Sequence, residues 1–193
     1  MEGTETHRRW LERATLYALS MTATGAATGA CFALAGAGLS ALWPGVTLPL
    51  ALSVGGIALV YALHELRFVR LPVPGRDWQV PSSWVRAGFY RSAVIFGGTV
   101  GFGVFTRVPY ASLPVLLAWL FVSGNPLHGL LAGLVYGATR ALSIFGGASC
   151  REPTDVIRLN QRLMRLAPLQ HQVAGAALAA FAAYLLAAPY LPS

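Results

Sequence analysis

Apolar positions along this chain gather in long runs that are separated by short polar segments. The runs are Leu16–Leu42, Leu48–Leu66, Gly88–Gly124, Pro126–Gly147 and Val173–Leu191. Each run is long enough to cross the hydrocarbon core of a bilayer, which takes roughly 20 residues of helix. The pattern therefore predicts an all-α integral membrane protein, with residues 1–193 forming a single polytopic membrane domain.

The third run, Gly88–Gly124, is too long for one simple crossing. As a straight helix it would span about 55 Å, against a hydrocarbon core of about 30 Å. Pro109 and Pro114 each remove a backbone donor near its middle. We therefore predict two half-helices joined by an unwound or re-entrant stretch. The result is a bundle of five membrane crossings, the third being a long helix broken by Gly and Pro. A tight outer turn near Arg107 would give six helices instead.

Charge is sorted along the chain in a way that predicts its orientation. Of the 14 basic residues, all of them Arg, twelve fall in the segments Met1–Arg13, Arg67–Arg91 and Arg151–Arg165. Cytoplasmic loops of membrane proteins retain basic residues, whereas translocated loops lack them. We expect a cytoplasmic N-terminus, an extracytoplasmic C-terminus, and a location in the cytoplasmic membrane of a bacterium.

Two segments are predicted to lie on the cytoplasmic side between the runs. Residues 67–87 form a cytoplasmic loop, and Arg70–Pro81 within it is predicted to be irregular because it contains three Pro and one Gly. Residues 151–168 contain an amphipathic helix, because Val156, Leu159 and Leu163 recur at helical spacing while Arg residues fall on another face. That helix either lies in the interface with its Arg face toward anionic lipid headgroups, or it packs on the bundle as an ordinary connector.

Composition narrows the class of protein. Charged residues make up 11% of the chain, against about 25% in soluble domains. The net charge of +7 indicates an anionic membrane surface rather than nucleic acid, because no nucleic-acid recognition motif is present. The sequence also lacks a nucleophile–base pair, a phosphate-binding loop and metal-ligand spacing. We therefore expect no enzyme activity, no cofactor and no metal.

The residues around the predicted break are the candidates for a binding cavity. Arg107 lies in an apolar run, where a charge is costly unless it faces water or a partner. It either binds an anion or a substrate carboxylate beside a half-helix N-terminus, or it reaches out to the outer interface. Pro109, Tyr110, Pro114 and Tyr136 are predicted to line the same cavity.

Other polar and small residues of the runs are interpreted structurally. Arg140 is expected to reach the cytoplasmic surface. Glu65 ends the second run beside His64, and the two are interpreted as an interface pair rather than a proton relay. Because no carboxylate lies in the interior of a run, proton coupling is not favoured. Gly25 and Gly29 form a pair that predicts close helix packing.

Residues 97–147 carry a resemblance to a known family. A Gly-rich half-helix is followed by a Pro-containing break, a Leu-rich half-helix, a Ser-Gly-Asn turn, and a helix with Gly129, Gly133 and Gly137. This order resembles the second half of the transmembrane domain of the DsbD/CcdA membrane thiol-disulfide carriers. The resemblance implies electron transfer from cytoplasmic thioredoxin to extracytoplasmic thiols, through a Pro-Cys pair at the break and another in the first helix.

The cysteines of this chain depart from that family pattern. Pro109-Tyr110 stands where the family has Pro-Cys, and Cys31 follows Ala rather than Pro. Cys31 and Cys150 are the candidate redox residues, but we expect about 15 Å between them along the membrane normal. A disulfide needs Cα atoms within about 7 Å, so Cys31 is interpreted as a packing residue.

Three functions follow from these observations as expectations. The first is a small-solute carrier or membrane scaffold with a cavity at the broken helix. The second is a transmembrane thiol-disulfide relay of the cytochrome c biogenesis type, using Cys31 and a thioredoxin-like partner. The third is a structural subunit of a larger membrane complex.

Overall fold

The computed structural model describes residues 2–71, 84, 88–103, 111–146 and 153–190, and within these ranges it contains helices and no strand. The α-helices are α1 (Glu2–Leu42), α2 (Thr47–Glu65), α3 (Phe89–Gly101), α4 (Ser112–Ser123), α5 (Pro126–Phe145) and α6 (Pro153–Ala187). A short 3₁₀ helix, Ala188–Tyr190, follows α6. The predicted all-α fold is confirmed.

Three of the described helical segments are long and apolar enough to cross a membrane: His7–Leu42, Thr47–Glu65 and Ile157–Tyr190. Only 22% of the most apolar window of each one is buried inside the protein. Large apolar side chains therefore face outward along these helices, as they do in a protein surrounded by lipid. The fold indicates a membrane protein, as expected from the sequence.

The third apolar run forms two helices, α3 and α4. Helix α3 ends just before Gly103, which adopts a φ of 69°, a left-handed conformation that glycine adopts at little cost. Pro114 lies in the first turn of α4, where its missing N–H has no helical acceptor to lose. Pro114 therefore belongs to the second helix and not to the break. Residues 104–110, with Arg107, Pro109 and Tyr110, lie outside the described residues.

The terminal helices extend beyond the predicted runs. Helix α1 begins at Glu2, so the charged N-terminal segment continues into the first apolar run without a break. Helix α6 unites the amphipathic segment with the last apolar run, and it passes through Pro168. A proline inside a helix removes one backbone hydrogen bond and crowds the preceding turn. Here that loss does not end the helix.

Contacts divide the protein into two compact units. The first unit contains residues within 1–31, 75–107 and 127–151, and the second contains residues within 32–74, 108–126 and 152–193. Helix α1 contributes its first part to the first unit and its last part to the second.

Small residues bring the helices of the first unit together. A Cβ atom added to Gly25 would lie 2.6 Å from the carbonyl oxygen of Gly133, and one added to Gly137 would lie 2.8 Å from the Cα of Thr22. The backbones of α1 and α5 thus touch, which side chains would prevent. The close packing predicted at Gly25 and Gly29 is confirmed.

The second unit is built around α2, which packs against α6 and α4. Its core is formed mainly by Ala and by a few larger apolar residues: Ala58, Ala62, Ala111, Val115, Leu178 and Ala182. Gly175 of α6 lies against Leu66 and the carbonyl of Ala62. Small side chains again allow close contact between backbones.

Candidate functional site

A carboxylate is buried where three helices of the second unit meet. Glu65 is the last residue of α2, and 1% of its surface is exposed. The buried polar residues in the described part of the chain are Thr28, Glu65 and Ser92, and of these Glu65 carries an ionisable group. An ionised group taken out of water costs several kcal/mol unless it is paired and hydrogen-bonded. The partners of Glu65 therefore determine how its buried carboxylate is stabilised.

Both oxygens of the Glu65 carboxylate have a partner. Oε1 accepts a hydrogen bond of 2.8 Å from the backbone N–H of Ala111, and Oε2 lies 2.5 Å from Nδ1 of His171. Ala111 directly precedes α4, and His171 lies in the middle of α6. A carboxylate next to an imidazole can share or exchange one proton. The arrangement is thus a buried acid–base pair in which His171 keeps 29% of its side chain exposed.

The contact of Glu65 with the start of α4 is favourable for a carboxylate, and it offsets the position of this residue at the C-terminal end of α2. The first N–H groups of a helix lack acceptors inside that helix, and they carry a partial positive charge. Ala111, at the N-cap position of α4, has no side-chain cap of its own. Glu65 supplies the missing acceptor from another helix. Its carboxylate therefore caps α4 while it contacts His171.

Glu65 does not pair with His64, and the interpretation of these two residues as an interface pair was wrong. The Nδ1 atom of His64 accepts a hydrogen bond of 2.9 Å from the backbone N–H of Leu71. Neighbouring residues on a helix point about 100° apart, because a turn takes 3.6 residues. Glu65 therefore faces the other helices of its unit, while His64 bonds to the chain that follows α2.

A signal for this pair was present in the spacing of small residues. On α2, Glu65 continues the stripe of Gly55, Ala58 and Ala62, and on α6 His171 begins the stripe of Gly175, Leu178 and Ala182. Both stripes follow the spacing of three and four residues that marks one helix face. A polar residue at the end of each packing face therefore indicates that Glu65 and His171 lie between the two helices.

Tyr136 and Pro114, the predicted cavity residues that are described, belong to different units. Tyr136 accepts a hydrogen bond from Nη1 of Arg140. The guanidinium carbon of Arg140 also lies 5.8 Å from the centre of the Tyr136 ring, within the range of a cation–π contact. The hydroxyl of Tyr136 thus has a partner within its own helix.

Cys31 is exposed on α1 and forms no disulfide. The interpretation of Cys31 as a packing residue was therefore wrong, because its side chain points away from the crowded glycine face. Cys150 lies outside the described residues. Within the described part of the chain, no three His, Cys, Asp or Glu side chains are placed to hold a metal ion.

Comparison with known proteins gives one partial similarity. No family model matches the chain, and no solved structure matches it. Methylamine utilization protein MauF of Paracoccus denitrificans is 29% identical over 118 residues, which cover 58% of this chain and 40% of that protein. The chain thus spans well under half of that protein's length. Over this part, it is similar to a protein named for methylamine utilization.

Proposed function

We propose that this protein is a small-solute carrier of the cytoplasmic membrane with a DsbD/CcdA-like architecture and five crossings. The Glu65–His171 pair is its proton-binding site, and the break between α3 and α4 lines the path of the solute. The observation that carries this proposal is the burial of Glu65 against His171 and the start of α4.

The energetics of the pair favour a functional role over a stabilising one. Replacing a buried ion pair by apolar residues of similar size is often neutral or stabilising. The surrounding core consists of Ala, Val and Leu, which would pack at this place without any desolvation cost. Ionisable groups inside membrane proteins typically mark ion pathways and proton relays. The sequence argument against proton coupling was that no carboxylate lies in the interior of an apolar run. Glu65 lies at the end of its run, but packing of the helices buries it all the same.

The hydrogen bond to Ala111 links the proton to the backbone. When Glu65 is ionised, it is a strong acceptor for the Ala111 N–H. A proton on Glu65 weakens this bond and loosens the first turn of α4. That turn follows directly after Arg107, Pro109 and Tyr110 in the chain. Proton binding thereby changes the backbone beside the predicted solute cavity.

Proton flux into liposomes tests this proposal. The purified protein is reconstituted with a pH-sensitive dye inside the vesicles, and a proton gradient is imposed. We expect Glu65→Gln to abolish the protein-dependent flux, because an amide cannot carry the proton. Glu12→Gln is the matched control, since Glu12 lies outside the pair and bonds to Arg8 and Tyr90. Equal flux through the wild type and Glu65→Gln would remove the proton-binding role.

A second candidate is the thiol-disulfide relay, and the exposure of Cys31 favours it. In this scheme the Cys31 thiolate attacks a disulfide of a thioredoxin-like partner. A mixed disulfide forms and the partner's second sulfur leaves as a thiolate. Trapping with a partner variant that lacks its resolving cysteine would capture this species. Cys31→Ser is the control, and no trapped species in the wild type would exclude the relay.

A third candidate is a structural subunit of a membrane complex. It predicts that Arg107 tolerates substitution by Gln while Gly25→Leu disrupts function, since packing alone would matter. The name of the Paracoccus relative suggests methylamine utilization as the process to test. Growth on methylamine after gene deletion, with rescue by the wild type or by each variant, distinguishes these outcomes. Undiminished growth of the deletion strain would remove methylamine utilization from the proposal.

A further inference from the structure

A cavity of about 370 Å³ lies within the first unit, between α1, α3 and the end of α5. Aromatic and aliphatic side chains form most of its wall, and one cation and one hydroxyl interrupt it. The lining includes Trp10, Arg13, Tyr17, Ser92, Phe96 and Ile144. The cavity belongs to a different unit from the Glu65–His171 pair.

Arg13 is held in place at this cavity. Its Nη2 atom donates a hydrogen bond of 3.1 Å to the Ser92 hydroxyl, and its guanidinium carbon lies 4.8 Å from the centre of the Phe89 ring. A guanidinium has five N–H donors, and Ser92 takes one of them. The planar group thus retains the capacity to bind a phosphate through two parallel hydrogen bonds.

The rest of the wall suits a hydrocarbon chain. The rings of Tyr17 and Phe96 lie 6.3 Å apart, and Trp10 meets Phe145 edge to face at 6.4 Å. Tryptophan is enriched at the level of lipid headgroups. The cavity therefore combines a cation near the charged end of α1 with an apolar surface. A phospholipid is complementary to this arrangement, because its anionic phosphate is followed by apolar acyl chains.

We infer that this cavity binds an anionic phospholipid of the cytoplasmic leaflet. Its phosphate lies on Arg13, and an acyl chain lies against Tyr17, Phe96 and Ile144. Basic pockets between membrane helices on the cytoplasmic side are known to hold anionic headgroups. The leaflet rests on the proposed orientation, with the N-terminus inside. The predicted contact of anionic lipid with the Arg clusters thereby acquires a specific site at Arg13.

Native mass spectrometry of the detergent-purified protein tests this site. Phosphatidylglycerol and phosphatidylcholine of equal chain length are titrated, and bound copies are counted. We expect the wild type to prefer phosphatidylglycerol. Arg13→Gln lowers the phosphatidylglycerol affinity about tenfold, since a charge-assisted hydrogen bond contributes about 1.5 kcal/mol or more. Arg8→Gln is the matched control, because the Arg8 side chain is 82% exposed and pairs with Glu12 on the same helix. We expect it to bind as the wild type does.

Several outcomes would overturn the site. These are equal binding of both lipids by the wild type, equal loss in Arg13→Gln and Arg8→Gln, or displacement of the lipid by inorganic phosphate at millimolar concentration. Should Arg13→Gln fail to elute as a folded protein, Ala93→Leu replaces it. Ala93 is buried and lines the cavity, so a larger side chain there obstructs the acyl chain while Arg13 keeps its charge. Unchanged lipid binding by Ala93→Leu would also reject the site.

The lipid site and the carrier proposal fail separately. Lipid binding in detergent depends neither on orientation nor on Glu65. Loss of proton flux in Glu65→Gln with retained lipid preference leaves both intact. Lipid preference together with an extracytoplasmic N-terminus would reject the cytoplasmic leaflet and the orientation, but not the cavity.

Discussion

Glu65 joins three helices of the second unit through one carboxylate. It ends α2, accepts the N–H of Ala111 at the start of α4, and contacts His171 of α6. The same group therefore has a structural and a chemical role. Substitutions of Glu65 distinguish the two roles. Gln retains an oxygen that can accept the Ala111 N–H, whereas Ala has no side-chain acceptor.

We expect Glu65→Ala to lower the free energy of unfolding by about 3 kcal/mol, because it leaves the Ala111 N–H and the His171 ring without their partner. Glu65→Gln should cost less than half of this amount. Thermal unfolding of the detergent-solubilised protein, followed by circular dichroism, measures both variants. Glu12→Ala is the control at an acid outside the buried pair. If Glu65→Ala unfolded at the temperature of the wild type, the capping role of this carboxylate would be excluded.

Exposure of Cys31 on a helix that can span a membrane predicts that its thiol faces lipid or detergent. We expect the membrane-permeant N-ethylmaleimide to modify Cys31 in the folded protein and a charged, impermeant maleimide to leave it unmodified, because water does not reach this face of α1. Mass spectrometry of peptides identifies the labelled residue. Cys31→Ser should change the free energy of unfolding by less than about 0.5 kcal/mol. Equal labelling by both reagents would show that water reaches Cys31 and would contradict its position on a lipid-facing surface.

Helix α1 shows how a glycine can be required at one position and dispensable two residues later. A Cβ atom added to Gly36 would lie 2.5 Å from the carbonyl carbon of Phe121 in α4, whereas one added to Gly38 meets nothing within 4 Å. Both glycines lie inside the same helix. Their difference is therefore one of packing and not of helix propensity.

We expect Gly36→Ala to destabilise the protein by about 2 kcal/mol, because the backbone of α4 must move away from α1. Gly38→Ala should be neutral or should stabilise by up to about 1 kcal/mol, since alanine is the better helix former. Thermal unfolding of the two variants side by side checks this prediction. Equal effects at both positions would contradict the close approach of α1 and α4.

At the scale of the whole molecule, the proposed topology has five membrane crossings. Three described segments have the length and composition of spans, while α4 is apolar but shorter. Five crossings require α3 and α4 to cross the membrane together, as two half-helices. This arrangement is tolerated where the backbone between them is buried in protein or lines a cavity.

Reporter fusions test the five-crossing topology. We expect fusions at Pro44, Asn125 and Ser193 to behave as extracytoplasmic, and fusions at Gly75 and Thr154 to behave as cytoplasmic, because the Arg-rich segments stay inside. Alkaline phosphatase and green fluorescent protein provide opposite readouts for each site. A cytoplasmic Asn125 would mean that α3 and α4 each cross the membrane, giving six crossings.

Local patterns alone were sufficient for much of the fold. The apolar runs predicted membrane helices, because a long apolar helix satisfies its own backbone hydrogen bonds and is stable in lipid without contacts to the rest of the chain. The Gly25–Gly29 pair likewise predicted a close helix contact. The ends of α1 and α6 do not follow from hydropathy, because both helices continue through polar residues beyond the apolar runs, and α6 also continues through Pro168.

The chemistry of the protein depended on contacts between distant residues. Glu65 and His171 are 106 positions apart. The sequence of neither helix indicates which partner its polar residue contacts. The pairing follows from the packing of α2 against α6 through small side chains, and from the start of α4 at Ala111. Hydropathy thus determined that this chain is made of membrane-type helices. Three-dimensional packing determined that one acid is buried among them with a histidine, because burial depends on which helix faces meet.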